Sequence, residues 1–413
     1  MNKRNRVVVT GMGIVAPNGI GLDAFWKSVL DAKSGIGPIT LFDASDFKSR
    51  IAGEVTDFDP FDFIEADLKP KRMARHTQFA YAAAMMALKD GGLEFHDLPP
   101  DGPIPVVIGV STSALDVIER VFHEVNGPGP DRVNPTALGA SKPQAAANVT
   151  ADRIGACAHA STVSSACPSG LDAIAIAAAM IRSGESDIAV AGGSDAPITP
   201  LAMASFIASG LSSERNSEPE TASRPFDLSR DSGVVSEGAG ILVLENLEHA
   251  EARGAKPYLE ISGYGTQRDL DVQKPASGLE FSMGLALANA GYAPDEIDYI
   301  SAYGPGHPLL DAIEVDIIKR VFGRRAYLLP VSSIKGVTGN ALAAGGPFQV
   351  IACALAVRDQ LLPPTANYAI ADPACDLDFV PNRPRKVKLN SALVNVRGLG
   401  GSASTMVLNR IAA

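Results

Sequence analysis

The chain has 413 residues, 46% hydrophobic and 20% charged, with a formal net charge of −10. That is globular composition, long enough for two domains or one double domain. The acidic balance argues against nucleic-acid binding, and the longest apolar stretch, Ala173 to Ile181, is too short to span a bilayer.

The elements alternate along the chain. Strands are predicted at Arg6–Thr10, Val106–Val110, Ile188–Ala191, Ala239–Leu244, Leu259–Gly263, Tyr299–Ala302, Leu329–Ser333, Ser391–Val396 and Ser404–Asn409. Helices are predicted at Gly21–Asp31, Thr77–Asp90, Pro143–Arg153, Leu171–Ser183, Thr199–Ser209, Leu279–Ala290, Pro308–Phe322 and Phe348–Asp359. This alternation predicts an α/β architecture with substantial sheet. Exposed loops are expected at Gly91–Gly102, Glu124–Asn134 and Ser212–Arg224. A basic N-terminus runs into Val7-Val8-Val9-Thr10, but Gly11 and Gly13 break the apolar run, so it does not read as a signal peptide.

An internal echo is visible. One strand runs into Gly11-Met12-Gly13, and a second, Leu259 onward, runs into Gly263-Tyr264-Gly265. It suggests two similar halves, residues 1–255 and 256–413. Gly11-x-Gly13-x-x-Ala16 also resembles a dinucleotide fingerprint. Pro17-Asn18-Gly19 follows at once, so no helix begins there to hold a pyrophosphate.

Four cysteines, Cys157, Cys167, Cys353 and Cys375, are too few for a disulfide scaffold, and no CxxC pair points to zinc. No metal is expected, and the setting reads as reducing and cytoplasmic. Cys167 stands apart. It sits in Ser165-Ala166-Cys167-Pro168-Ser169-Gly170, just before an apolar helical run. Pro168 suits a first helical position and Gly170 permits close approach. A thiol at a helix start feels the positive end of the dipole, so its pKa is expected to fall. The other cysteines read as small buried hydrophobes. Of the six histidines, most read as surface residues; His307, on Gly304-Pro305-Gly306-His307-Pro308, is placed to line a site.

These motifs resemble the β-ketoacyl-(acyl-carrier-protein) synthases of the thiolase superfamily. The likeness spans nearly the whole chain. It includes the Ala-Cys-x-Ser-Gly elbow, Ala191-Gly192-Gly193-Ser194-Asp195, Ser223-Arg224-Pro225-Phe226-Asp227 and Ser332-Ser333-x-Lys335-x-x-x-Thr338-Gly339. The resemblance implies a thiolase-like αβαβα five-layered fold with two pseudo-symmetric halves, and a dimer. It implies acyl chemistry on chains tethered to an acyl carrier protein's phosphopantetheine, with no dissociable cofactor. In the family a cysteine takes the acyl chain, and two histidines promote decarboxylation and stabilise oxyanions.

Three positions depart from that pattern. The first histidine falls on Tyr303 and the second on Asn340. The Phe-Gly-Phe-Gly-Gly loop that gates the acyl pocket reads Arg397-Gly398-Leu399-Gly400-Gly401. Lys335, Asp311 and Glu314 match; Lys335 is expected to support the site's hydrogen-bond network, with Glu314 nearby. The catalytic candidates are therefore Cys167, Tyr303, Asn340 and Lys335, with Leu399, Gly400 and His307 at the pocket.

Some stretches resemble the chain-length factors of type II polyketide synthases, ketosynthase-like subunits with a broken catalytic set. Among them are Val15 to Leu22, Lys33 to Asp43 and Gly345-Gly346-Pro347-Phe348. Familiar chain-length factors carry Gln at the elbow, where this chain has Cys167. The leading expectation is a chain-length-factor subunit that pairs as a heterodimer with a catalytic ketosynthase. The alternative is an active synthase or acyltransferase using Cys167 with Tyr303 and Asn340.

Overall fold

The computed structural model describes residues 5–93, 104–155, 158–269 and 276–411. Cys157, His96 and most of the Gly91–Gly102 stretch lie outside the described residues.

The main strands are β1 (Val7–Ala16), β2 (Ile104–Gly109), β3 (Ala158–Val163), β4 (Ile188–Asp195) and β5 (Gly238–Asn246), then β6 (Leu259–Arg268), β7 (Tyr299–Ser301), β8 (Val331–Ser332), β9 (Ser391–Arg397) and β10 (Ser402–Asn409). From the middle outward, one side runs β1-β5-β4-β2-β3 and the other β6-β10-β9-β7-β8. The senses repeat as well. In each half the outer three strands are parallel and the inner pairings antiparallel. The halves join narrowly, where Val8 faces Glu260 and Val9 faces Leu259.

The main helices are α1 (Leu22–Leu30), α2 (Arg75–Asp90), α3 (Leu115–Asn126), α4 (Ala145–Ile154) and α5 (Ser169–Ser183), then α6 (Pro200–Ala208), α7 (Ser277–Ala290), α8 (Pro308–Phe322) and α9 (Gly345–Asp359). Helices α5 and α9 lie between the halves, α2 and α4 cover the first half, and α7 covers the second with α8 beside it. The layers are αβαβα. A middle helix packs against layers on both sides, so most of its surface must be apolar. In α9 every residue from Gly345 to Val357 is buried, and the central core draws on β1, α5 and α9 together. Among the described residues no helix is long and apolar enough to cross a membrane.

The repeated Gly-x-Gly has a packing cause. A Cβ on Gly11 would sit 2.2 Å from the Ala87 carbonyl oxygen, and one on Gly13 1.9 Å from that of Ala83, both in α2. In the second half, Gly263 and Gly265 meet the Ala286 and Ser282 carbonyl oxygens of α7 at 2.2 and 2.3 Å. These glycines seat the first strand of each half on its outer helix. Strand β1 also runs through them to Ala16, past its predicted end.

Some expectations need correction. Strand β3 and helix α3 were not predicted. The segment Glu124–Asn134 is not all loop, since α3 continues to Asn126. The Ser212–Arg224 stretch holds a short helix, Pro219–Ala222, and buries Ser212, Ser213, Ala222 and Ser223. His76 is no surface residue: it is fully buried, and burial lowers its pKa to about 4.

Helix α6 begins with a conventional cap. Thr199 Oγ1 accepts from Ala202 N at 3.3 Å, and Pro200 follows. Thr199→Ala is expected to cost about 1 kcal/mol, read as a lower urea midpoint.

Candidate active site

The chain leaves β3 and turns sharply before α5. Ala166 takes φ 66°, the left-handed region that a side-chain-bearing residue rarely adopts. Local bonds hold the turn. Ser169 N donates to Ala166 O at 3.0 Å, and Ser165 N donates to Ser169 Oγ at 2.8 Å. The far end of the chain braces it, with Ser402 Oγ donating to Ser165 O at 2.9 Å. Gly398 lies so close that a Cβ there would approach Pro168 Cδ at 2.8 Å and Ala166 Cβ at 2.9 Å. This strained turn presents Cys167 at the head of α5.

The thiol does not behave as its helix position predicts. Burial pushes the Cys167 pKa up to about 11. A hydrogen bond from Tyr303 and the Lys335 ammonium oppose the rise, and the Asp195 carboxylate adds to it. Desolvation of the thiolate outweighs the helix dipole, whose effect on such a group is modest. Below its pKa a thiol loses tenfold in thiolate for each pH unit. Alkylation of native Cys167 by iodoacetamide is therefore expected to rise about tenfold per unit from pH 7 to 10. Peptide mass spectrometry would read it, and a plateau below pH 8 would contradict the raised pKa.

Tyr303 follows β7 on the loop that leads to α8. Its hydroxyl lies close enough to Cys167 and Asn340 for both to shift its pKa. A phenol can donate to a sulfur and accept from an amide NH₂, so the Tyr303 hydroxyl has the chemistry to bridge the two. Burial and the neighbouring thiol hold the phenol well above its usual pKa. The loop is fixed from behind. Glu314 accepts from Tyr303 N at 2.9 Å and Gly304 N at 2.8 Å, and from Asn395 Nδ2 at 3.2 Å. Lys335 Nζ donates to Tyr303 O at 2.7 Å and lies 4.7 Å from the ring centre. Burial lowers the Lys335 pKa to about 8, against the attraction of Glu314. Asp311 accepts from Phe226 N at 2.8 Å and Gly306 N at 3.1 Å, and burial raises its pKa to about 7.

Asn340 is held by its backbone. Its N–H donates to Val234 O at 2.8 Å, and its carbonyl accepts from Ser236 N at 3.1 Å. Its side-chain Oδ1 is buried without a hydrogen-bond partner. His307 caps α8, its Nδ1 accepting from Leu309 N at 3.2 Å, so its proton sits on Nε2. Leu399 is exposed, and Gly400 takes φ 80° with open space around it.

Of the residues singled out in the sequence, Cys167, Tyr303, Asn340, His307, Leu399 and Gly400 line one cavity of about 190 Å³. Lys335, Asp311 and Glu314 are buried behind it. Two relevant residues were not singled out. Arg397 lines the same cavity. Asp195 ends β4 fully buried and accepts from Ser111 N, Thr112 N and Ala343 N at 3.0, 2.8 and 2.9 Å. A carboxylate closing an otherwise apolar strand was the available signal for Asp195.

The doubled αβαβα architecture with a cysteine elbow defines a thiolase-like ketosynthase fold. The chain belongs to the beta-ketoacyl synthase family: residues 4–250 match its N-terminal domain and residues 258–369 its C-terminal domain. It is 40% identical over 417 residues to a 3-oxoacyl-[acyl-carrier-protein] synthase 2 from Coxiella burnetii, covering 100% of both chains. It is 41% identical to a putative polyketide beta-ketoacyl synthase 1 from Streptomyces cyaneus, covering 98% of this chain and 97% of that one. Among solved structures, the ishigamide ketosynthase/chain length factor matches with a TM-score of 0.92 at 33% identity, over 99% of this chain and 100% of that one. A type II polyketide synthase acyl-carrier protein in complex with its ketosynthase matches with a TM-score of 0.91 at 34% identity, over the same shares. Both sequence relatives are named as synthases, so the resemblance holds at the level of the synthase family rather than of chain-length factors.

Proposed function

We propose that this chain is a β-ketoacyl synthase of type II fatty-acid or polyketide synthesis, with Cys167 as the acyl acceptor and Tyr303 and Asn340 in place of the family's histidines. One observation carries this reading: Cys167, Tyr303 and Asn340 line one cavity, with the thiol and the phenol close enough to shift each other's pKa. In the first step the Cys167 thiolate attacks the thioester carbonyl of an acyl carrier protein. The bond to the phosphopantetheine sulfur breaks, and that sulfur leaves with the proton Cys167 gave up. In the second, the malonyl carbon–carboxylate bond breaks and carbon dioxide departs. The electron pair forms an enolate, which attacks the Cys167 thioester and expels the cysteine sulfur as a thiolate, which takes up one proton from solvent.

At rest the donors run in series, from Asn340 to Tyr303 to Cys167. The resting sulfur is a thiol, and a thioester sulfur, whose lone pair is drawn into the carbonyl, accepts hydrogen bonds more weakly still. Acylation of Cys167 thus releases the phenol to donate to the enolate oxygen, with the Asn340 amide beside it. Lys335 and Glu314 hold the loop that carries the phenol.

A carrier protein and a second ketosynthase-type subunit are the partners this reading assigns. The solved complexes with carrier protein and with chain length factor support them. The second reading, a chain-length-factor subunit, draws support from the thiol's pKa of about 11, which leaves little thiolate at neutral pH. Intact-mass analysis after exposure to acyl carrier protein, with carbon dioxide release measured alongside, separates the two. An acylated Cys167 with carbon dioxide release supports the synthase. An unmodified Cys167, with and without a partner ketosynthase, overturns it.

A further inference from the structure

Asp172 is the polar exception in a middle helix. It sits buried in the first turn of α5, ahead of the apolar run from Ala173 to Ile181. A buried carboxylate is costly unless its oxygens are hydrogen-bonded, and three hydroxyls serve this one. Ser165 Oγ donates to Oδ2, while Ser404 Oγ and Tyr264 OH donate to Oδ1, the tyrosine at 2.7 Å. Burial and the carboxylate hold the Tyr264 phenol above its ordinary pKa, so it remains a donor. The steps of condensation make no use of Asp172.

Its contact with Ser165 bears on the nucleophile. Ser165 precedes Ala166, whose left-handed φ of 66° persists only where surrounding groups enforce it. Every polar group of Ser165 is engaged. Its N–H donates to Ser169 Oγ, its carbonyl accepts from Ser402 Oγ, and its hydroxyl donates to Asp172. The first of these closes the turn locally. The other two tie it to the body of the protein. Ser169 and Asp172 are one helical turn apart, so they share a face of α5. Ser402 and Ser404 both lie in β10, so the elbow and the strand that follows the pocket loop share one anchor.

We propose that Asp172 is a positioning residue for Cys167: through Ser165 it holds the strained Ala166 turn that aims the thiol into the cavity. The proposal rests on the reading of Cys167 as the acyl acceptor, but its first readout needs no acyl transfer. Asp172→Ala removes the acceptor of the tether, and Ser165→Ala deletes the same bond from the other side, which decides the matter if Asp172→Ala does not fold. Once Ala166 relaxes, the thiol leaves its buried setting. Burial is the largest influence on its pKa and raises it, outweighing Tyr303 and Lys335, so the pKa falls when burial is lost. Iodoacetamide alkylation of Cys167 at pH 8, read by peptide mass spectrometry, should rise about tenfold in each variant. Ala166→Gly added to Ser165→Ala should return the native profile, because glycine adopts that φ without strain. Cys353, buried in α9, should stay unreacted. Acylation by acyl carrier protein should fall about tenfold in Ser165→Ala and recover in the double variant. A native alkylation profile in Ser165→Ala, a profile that glycine does not restore, equal rises at Cys353 and Cys167, or an undiminished acylation rate would each overturn the proposal. A native chain that is never acylated, with the alkylation results as expected, would leave the positioning role standing and reject the acyl-acceptor reading instead.

Discussion

Tyr303→Phe is expected to lower carbon dioxide release from malonyl carrier protein by about 10²–10³-fold, the usual loss for one oxyanion donor. The change removes a single oxygen and keeps the ring. The backbone anchors remain, since Glu314 holds the Tyr303 N–H and Lys335 holds its carbonyl. The loop therefore stays in place and only the donor is lost. Asn340 loses a neighbouring hydroxyl, and Cys167 loses an influence that lowers its pKa. Acylation of Cys167 should slow as well, and its pH profile should move to higher pH, because the loss removes an influence that lowers the thiol pKa. Unchanged carbon dioxide release would place the Tyr303 hydroxyl outside the chemistry and return the weight to the chain-length-factor reading.

How legible this protein is in its sequence depends on where each residue's constraint comes from. The middle helices were legible because packing between two layers keeps most of their surface apolar, as the run from Ala173 to Ile181 displays. The doubled architecture was legible from the Gly-x-Gly echo, because the same strand-on-helix contact recurs in each half. Strand β3 was not. Its sequence, Ala158-His159-Ala160-Ser161-Thr162-Val163, lies at the sheet edge and needs little apolar alternation. Helix α3 was missed although it buries Val117, because its Ile118, Phe122 and Val125 stay exposed. At the site, the elbow was legible from Pro168 and Gly170, but the direction of the Cys167 pKa shift was not. Helix position is a local property; burial is set by groups such as Leu342 and Tyr303, both more than 130 residues away in the chain. The place of Arg397 at the cavity was hidden for the same reason, since both its partner Asp269 and the cavity it borders come from elsewhere in the sequence.

Glu314→Ala is expected to destabilise the chain by about 3–5 kcal/mol, the range for removing one partner from a buried charged cluster. Glu314 is fully buried in α8, and its two oxygens serve three donors: Tyr303 N, Gly304 N and Asn395 Nδ2. It is also the foremost influence keeping the buried Lys335 protonated. With alanine there, three donors lose their acceptor and the Lys335 pKa, already about 8, should fall further. The loop cannot shift to compensate. Gly304 adopts φ 34° with the Phe226 ring so close that a Cβ would meet its Cζ at 2.8 Å, and Phe226 stacks on Phe379 at 4.1 Å. Glu314→Gln should lose less, because its amide oxygen can still accept from Tyr303 N or Gly304 N although the charge opposite Lys335 is gone. Urea unfolding at neutral pH reads both variants. Equal midpoints for the glutamine variant and the native chain would show that the hydrogen bonds, rather than the charge, secure the loop that carries Tyr303. A midpoint for the alanine variant close to native would overturn the assignment of Glu314 as the anchor of that loop.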